Sequence, residues 1–157
     1  MAHVEAIMTR TGLIVESTGV LVDGAGRALP GVADAVQRLN ARGVIIVAIA
    51  HDGFTGSLPG MPGPLIPPDA TPRYRLPRPG LLLAAAQAQQ LDLPTSWVIG
   101  THHHHAHAAA QAGCAGCVLI GIAAPTEDLG LVVVEARDLA DAPRVMIPRG
   151  GGCWHGH

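Results

Sequence analysis

The sequence predicts an α/β fold: a Rossmann-like three-layer sandwich with a mainly parallel five-stranded sheet and helices on both faces. Three observations predict it. Apolar β-branched runs alternate with segments whose apolar residues recur at helical spacing, the pattern of a parallel sheet joined by right-handed crossovers. Hydrophobic residues make up 48% of the chain but aromatic ones only 3%, so Ala, Val, Leu and Ile must fill the interior. At 157 residues the chain is most simply one domain with room for a real core.

Each element has a local reason. Gly12–Glu16 is a short apolar run ending at a polar residue, and so a first strand, with a turn at Ser17-Thr18-Gly19. Pro30-Gly31 opens a helix from Val32 to Arg42, in which Val32, Ala35, Val36 and Leu39 share a face and Gly43 is the stop. Val44–Ala50 follows as a continuous run suited to a strand covered on both faces. Residues 53–79 carry most of the thirteen prolines, which makes regular structure improbable there and suggests a long functional or irregular loop. Pro79-Gly80 opens a second helix, Leu81 to Gln90, and Ser96–Gly100 reads as the third strand. An Ala-rich helix ends at Gly113. Cys117–Gly121 and Leu131–Val134 then read as strands, and Asp138 as the N-cap of a short helix to Ala142. The domain is expected to span 1–147 without a large cap, followed by a Gly/Cys/His tail at 148–157.

The stretch after the third strand carries the chemistry. Five histidines occupy six positions, His102 to His107, where a strand meets a helix N-terminus. In an open α/β sheet that junction lies at the carboxyl edge, where ligands bind. The partial positive charge of the helix start disfavours imidazolium and favours the neutral ring, the form that binds metal. His103 and His107 are four apart and share a helical face. Cys153-x-His155-x-His157 is a second candidate ligand set, since alternation puts its three side chains on one side of an extended segment. Cys114-x-x-Cys117 has the spacing of a zinc or redox pair, but no second pair accompanies it; buried packing is the simpler reading.

Composition also excludes. The net charge of −2 and the lack of a basic cluster argue against nucleic acid as a partner. No apolar run approaches the ~20 residues of a membrane span, and Met1–Glu5 lacks the form of a signal peptide. Three cysteines are too few for a disulfide scaffold, so a cytoplasmic setting is expected. Lysine is absent; all ten basic residues are Arg.

Over about residues 12 to 145, the chain resembles a haloacid-dehalogenase-type (HAD-like) phosphatase of the short, capless branch that includes heptose-bisphosphate and histidinol-phosphate phosphatases. The resemblance rests on Leu29-Pro30-Gly31-Val32, Leu39-Asn40-Ala41-Arg42-Gly43, Arg75-Leu76-Pro77-Arg78-Pro79-Gly80, Ser96-Trp97-Val98-Ile99-Gly100 and Ala109-Ala110-Gln111-Ala112-Gly113-Cys114. It implies four catalytic motifs, and this sequence departs from each. Where the family's Asp-x-Asp-Gly-Thr holds a nucleophile and an acid/base two residues on, the chain has Glu16-Ser17-Thr18-Gly19-Val20. Glutamate carries its carboxylate one methylene too far, and attack geometry tolerates ~1 Å errors poorly. The phosphoryl-binding Thr or Ser is replaced by Ala50, before His51-Asp52. The Lys of Arg-Lys-Pro-x-Pro-Gly has become Leu76, and the two acids of Gly-Asp-x-x-x-Asp are Thr101 and His105. The branch's Cys/His zinc loop is missing from 53–79.

The resemblance therefore implies a catalytically degenerate protein, a pseudoenzyme without Mg²⁺-dependent phosphatase activity. Its His-rich crevice is expected to take a transition metal such as Zn, Ni, Cu or Fe through His102, His103, His105 and His107. Glu16, His51, Thr101, His102 and His105 can converge there. Glu16 and His51 are the candidate catalytic residues, and Thr18, Thr101, Arg75 and Arg78 the candidate anion-binding ones. A binding or accessory role is expected, with a metal ion, small molecule or protein as partner. Two alternatives stay open: a metal-dependent enzyme with repurposed chemistry in the same crevice, and a divergent sugar-phosphate phosphatase.

Overall fold

A computed structural model of the chain describes residues 10–56, 58 and 61–146. Five strands, β1 (Gly12–Glu16), β2 (Ile45–Ile49), β3 (Trp97–Gly100), β4 (Gly116–Ile120) and β5 (Val132–Ala136), form one parallel sheet in the order β2-β1-β3-β4-β5. The helices are α1 (Val32–Ala41), α2 (Gly80–Gln89), α3 (His103–Ala112) and the short α4 (Ala142–Val145). This is the expected three-layer α/β arrangement, and among the described residues no large cap is present.

The alternating side chains of the strands feed two separate cores. Leu13, Val15, Trp97, Ile99 and Val118 pack against Val32, Val36 and Leu39 of α1 and against Leu139 and Ala142. On the opposite face Ile14, Ile49, Val98, Cys117 and Leu119 meet Leu81, Leu82 and Ala85 of α2 and Ala106, Ala108 and Ala109 of α3. Alanine at those α3 positions lets the helix lie close to the sheet. A parallel strand buried on both faces reads as an unbroken apolar run, and β1 is buried at all five positions.

Two segments differ from the pattern or add to it. The last helix starts at Ala142 rather than just after Asp138. Pro143 has no N–H to give and is tolerated only in a first turn, so a helix begun at Asp138 would place it too deep. Asp138 instead accepts the Asp141 N–H at 2.9 Å, while Asp141 accepts the Arg137 N–H and the Arg144 guanidinium. Within 53–79, Leu65 pairs with the outer edge of β2: its N–H donates to Ala48 and its carbonyl accepts from Ala50, both at 2.9 Å. A turn of 3₁₀ helix follows at Pro72–Tyr74.

Candidate functional site

The strand ends bring one carboxylate and two imidazoles together. Glu16 closes β1, His51 lies two residues beyond β2, and His105 sits in the first turn of α3, just past the end of β3. Because β2, β1 and β3 are adjacent and parallel, these three positions share the carboxyl edge. Glu16 Oε1 lies 2.5 Å from His51 Nδ1 and 2.8 Å from His105 Nε2, and Oε2 accepts the His51 backbone N–H at 2.9 Å. One ligand atom from each residue falls within 4.8 Å of the others, and this is the group among the described residues with that property. Glu16 is 5% exposed and His105 3%.

Desolvation alone would push the Glu16 carboxyl up, but hydrogen bonds donated by the His105 and His51 rings lead the opposing effects and hold the group at about 2. The carboxylate is therefore ionised throughout the neutral range, inside an otherwise apolar strand. Beside it lies a cavity of about 270 Å³ lined by Glu16, Thr18, His51, Asp52, Leu76, Thr101 and His105. Thr18 Oγ1 and His51 Nε2 are buried there without a hydrogen-bond partner among the described residues, an unusual condition for polar atoms.

The start of α3 is closed by its own histidines. His102 is the N-cap and its side chain accepts the His104 N–H at 3.1 Å. His105, three positions on, reaches back so that Nδ1 accepts the N–H groups of Thr101 and His102, both at 3.2 Å. Two imidazoles thus play the reciprocal parts that Ser and Glu play in an ordinary capping box. Gly100 makes this possible: a Cβ there would overlap the His105 ring and lie 2.6 Å from Nδ1. Gly100→Ala is accordingly expected to cost about 1–3 kcal/mol of stability, the usual range for overpacking. Urea denaturation measures it, and an unchanged midpoint would contradict the close contact.

The remaining candidates lie elsewhere. His102, His103 and His104 are exposed, with His103 bonded to the Ala123 carbonyl at 2.7 Å and His107 paired with Glu127 at 3.3 Å. A slight loss of solvation, then the neighbouring His104, His105 and His103, lowers the pKa of the exposed His102. The structure therefore brings His105 to the carboxylate and leaves His102, His103 and His107 outside that group. Thr18 and Thr101 line the crevice; Arg75 and Arg78 are exposed and do not. Cys153, His155 and His157 lie outside the described residues. Cys114 and Cys117 are buried free thiols in the core under α3. Burial pushes Cys114 up to about 12 and Cys117 up as well, so neither offers a ready thiolate. Asp52 and Leu76 are crevice residues that sequence reasoning left out of the site. Asp52 had a signal, its position beside His51 at a strand end; Leu76 reaches the site from an irregular loop and had none.

The sequence matches no protein-family model and no curated protein. Solved structures do match. A HAD-like phosphatase-type protein from Mesorhizobium loti superposes with a TM-score of 0.63 at 19% identity, over 87% of this chain and 84% of its own. D,D-heptose 1,7-bisphosphate phosphatase from B. bronchiseptica, complexed with magnesium and phosphate, gives 0.61 at 24% identity, over 84% and 95%. The chain has a HAD-like fold. A hydrolase from Pseudomonas syringae gives a TM-score of 0.58 at 19% identity, over 75% of this chain and 58% of that one. In this HAD-like fold the Glu–His group occupies the carboxyl edge of the sheet, as the general rule for ligand sites in open α/β sheets requires. No helix among the described residues is long and apolar enough to cross a membrane.

Proposed function

We propose that this HAD-like chain is a binding or accessory protein, not a magnesium-dependent phosphatase, and that its crevice takes a transition-metal ion. The observation that carries the reading is the convergence of Glu16, His51 and His105 within 4.8 Å at the sheet edge. Magnesium seeks hard oxygen ligands in an octahedron, and the crevice here presents an imidazole nitrogen, His51 Nε2, buried and without a hydrogen-bond partner among the described residues. Zn, Ni, Cu or Fe accepts such a ligand.

Electrostatics argues in the same direction. Among the described residues, the crevice is lined by the Glu16 and Asp52 carboxylates and by no Arg. The N–H groups at the start of α3, which in other proteins hold phosphate, are here engaged by His105 and His102. A phosphate dianion would meet negative charge and find few donors, whereas a divalent cation would be welcomed. The positions of the family's nucleophile, acid/base and phosphoryl ligand hold Glu16, Thr18 and Ala50, and there is no lysine.

Elemental analysis of the untagged full chain after gel filtration and mild chelation tests this. About one equivalent of a single transition metal is expected, and it should be lost in His51→Ala. Incubation with Mg²⁺ and an aryl phosphate is expected to release no phosphate. Mg²⁺-dependent release abolished by Glu16→Ala would overturn the reading in favour of a divergent phosphatase. Metal content that is absent, or that survives His51→Ala, would overturn the crevice as the metal site.

A further inference from the structure

The hydrogen-bond directions around Glu16 divide labour among the three residues, and they go further than the metal reading on which they rest. His105 Nδ1 receives two backbone N–H groups, from Thr101 and His102, at 3.2 Å each. An atom that accepts two donors must carry a lone pair, so the neutral ring bears its proton on Nε2, where it points at Glu16 Oε1 2.8 Å away. A protonated ring nitrogen has no lone pair to give a metal. Turning the ring over would sacrifice both bonds at the helix start, and the ring lies directly against the Gly100 backbone with 3% exposure.

His51 is arranged the opposite way. Its backbone N–H donates to Glu16 Oε2, and its Nδ1 lies 2.5 Å from Oε1, the geometry of an Nδ1–H donor to a carboxylate. In the neutral ring that leaves Nε2 with the lone pair, buried and without a hydrogen-bond partner among the described residues. A histidine that binds metal through one nitrogen almost always donates its other ring N–H to a carboxylate or carbonyl, which fixes the tautomer and raises the basicity of the ligand. His51 meets that description and His105 does not. Glu16, whose two oxygens already receive three N–H donors, serves as the orienting carboxylate.

We propose that the metal-ligating atom of this crevice is His51 Nε2, with Glu16 as its orienting carboxylate and His105 as a positioning residue that ties that carboxylate to the start of α3. Thr18, whose Oγ1 is also unpartnered among the described residues, and Asp52, whose Oδ1 accepts the Phe54 N–H, line the same cavity. Their oxygens and water are the groups available for the remaining coordination positions. The ion is a divalent transition metal of the imidazole-seeking class, and the site is mononuclear, since it offers one open nitrogen.

Long-range ¹H–¹⁵N NMR of the histidine rings in the untagged full chain, with and without added Zn²⁺, tests this. In metal-free protein His105 is expected as the Nε2–H tautomer and His51 as the Nδ1–H tautomer. Zn²⁺ should shift His51 Nε2 while the His105 Nε2 proton is retained. By titration calorimetry, His105→Gln is expected to weaken Zn²⁺ binding by ~10–100-fold, the range for a hydrogen-bonded support of a ligand, and His51→Gln by more than that. His103→Ala/His107→Ala, whose rings contact Ala123 and Glu127 away from the crevice, and Cys153→Ser/His155→Ala/His157→Ala are expected to leave the crevice signal in place. Loss of the His105 Nε2 proton on adding Zn²⁺ would make His105 a ligand and overturn the division of roles, while the metal reading survived. No Zn²⁺ response at either ring would overturn both. The wild-type spectrum decides the matter even where a variant fails to fold.

Discussion

Replacing Glu16 with alanine is expected to cost about 3–5 kcal/mol of unfolding free energy, the range for breaking a buried charge network by removing one member. The carboxylate receives three donors: the His51 backbone N–H, the His51 ring and the His105 ring. Alanine would leave all three without their acceptor, and each buried donor so orphaned costs about 1–3 kcal/mol. Water entering from the adjoining cavity offsets part of this, which keeps the total below the simple sum. Glu16→Gln should lose less, because its amide oxygen still accepts while its NH₂ group faces a donor. Urea denaturation near pH 7 provides the comparison. If alanine and wild type share a midpoint, Glu16 is not the keystone of the sheet edge.

Acid should weaken the fold through the same residue. The Glu16 carboxyl titrates at 4.5 in the unfolded chain and at about 2 in the folded one. A carboxyl held below its unfolded value stabilises the fold fully above the unfolded value, and the contribution disappears as pH falls toward the folded one. At about 1.4 kcal/mol per pH unit, roughly 3 kcal/mol is at stake between pH 4.5 and 2, and about 2 kcal/mol should be gone by pH 3. The test is the fall in stability of metal-free protein between pH 6 and pH 3, in wild type and in Glu16→Gln. The variant should lose less by that amount, since other carboxylates such as Asp141 contribute equally to both. Equal losses would mean that the protonation of Glu16 is not coupled to folding.

The fold was legible because its strands are apolar, largely β-branched runs and Val32–Ala41 keeps a clear apolar face. Glu16 and His51 could be placed for the same reason: one ends a strand and the other lies two residues past one, so the end of the strand locates the side chain. The histidine run was harder. Five chemically identical residues hide their own helical phase, so His102, His103, His105 and His107 read as one cluster. The phase was present further along, in Ala108, Ala109 and Ala112, which lie three, four and seven positions after His105 and mark the inward side. Using those alanines would have singled out His105 and sent its neighbours outward. The pairing of Leu65 with β2 was not legible, since a single bridge has no periodicity to detect. The same holds for hydrogen-bond direction at His105, which depends on backbone N–H groups that every sequence carries.

Leu65 also bears on how this chain can change. One residue of the segment 53–79 holds the outer edge of β2 through two backbone bonds, and beyond it Pro68 to Arg73 are exposed. Lengthening an irregular connection is cheap, with each doubling adding only about 0.6 kcal/mol of closure entropy. New sequence grafted near Ala70 would leave the edge bond, the two cores and the Glu16–His51–His105 group where they are. The segment, which also carries the crevice residue Leu76, is therefore a graft point: a peptide or small domain inserted there would be attached close in sequence to the site without renegotiating the scaffold beneath it.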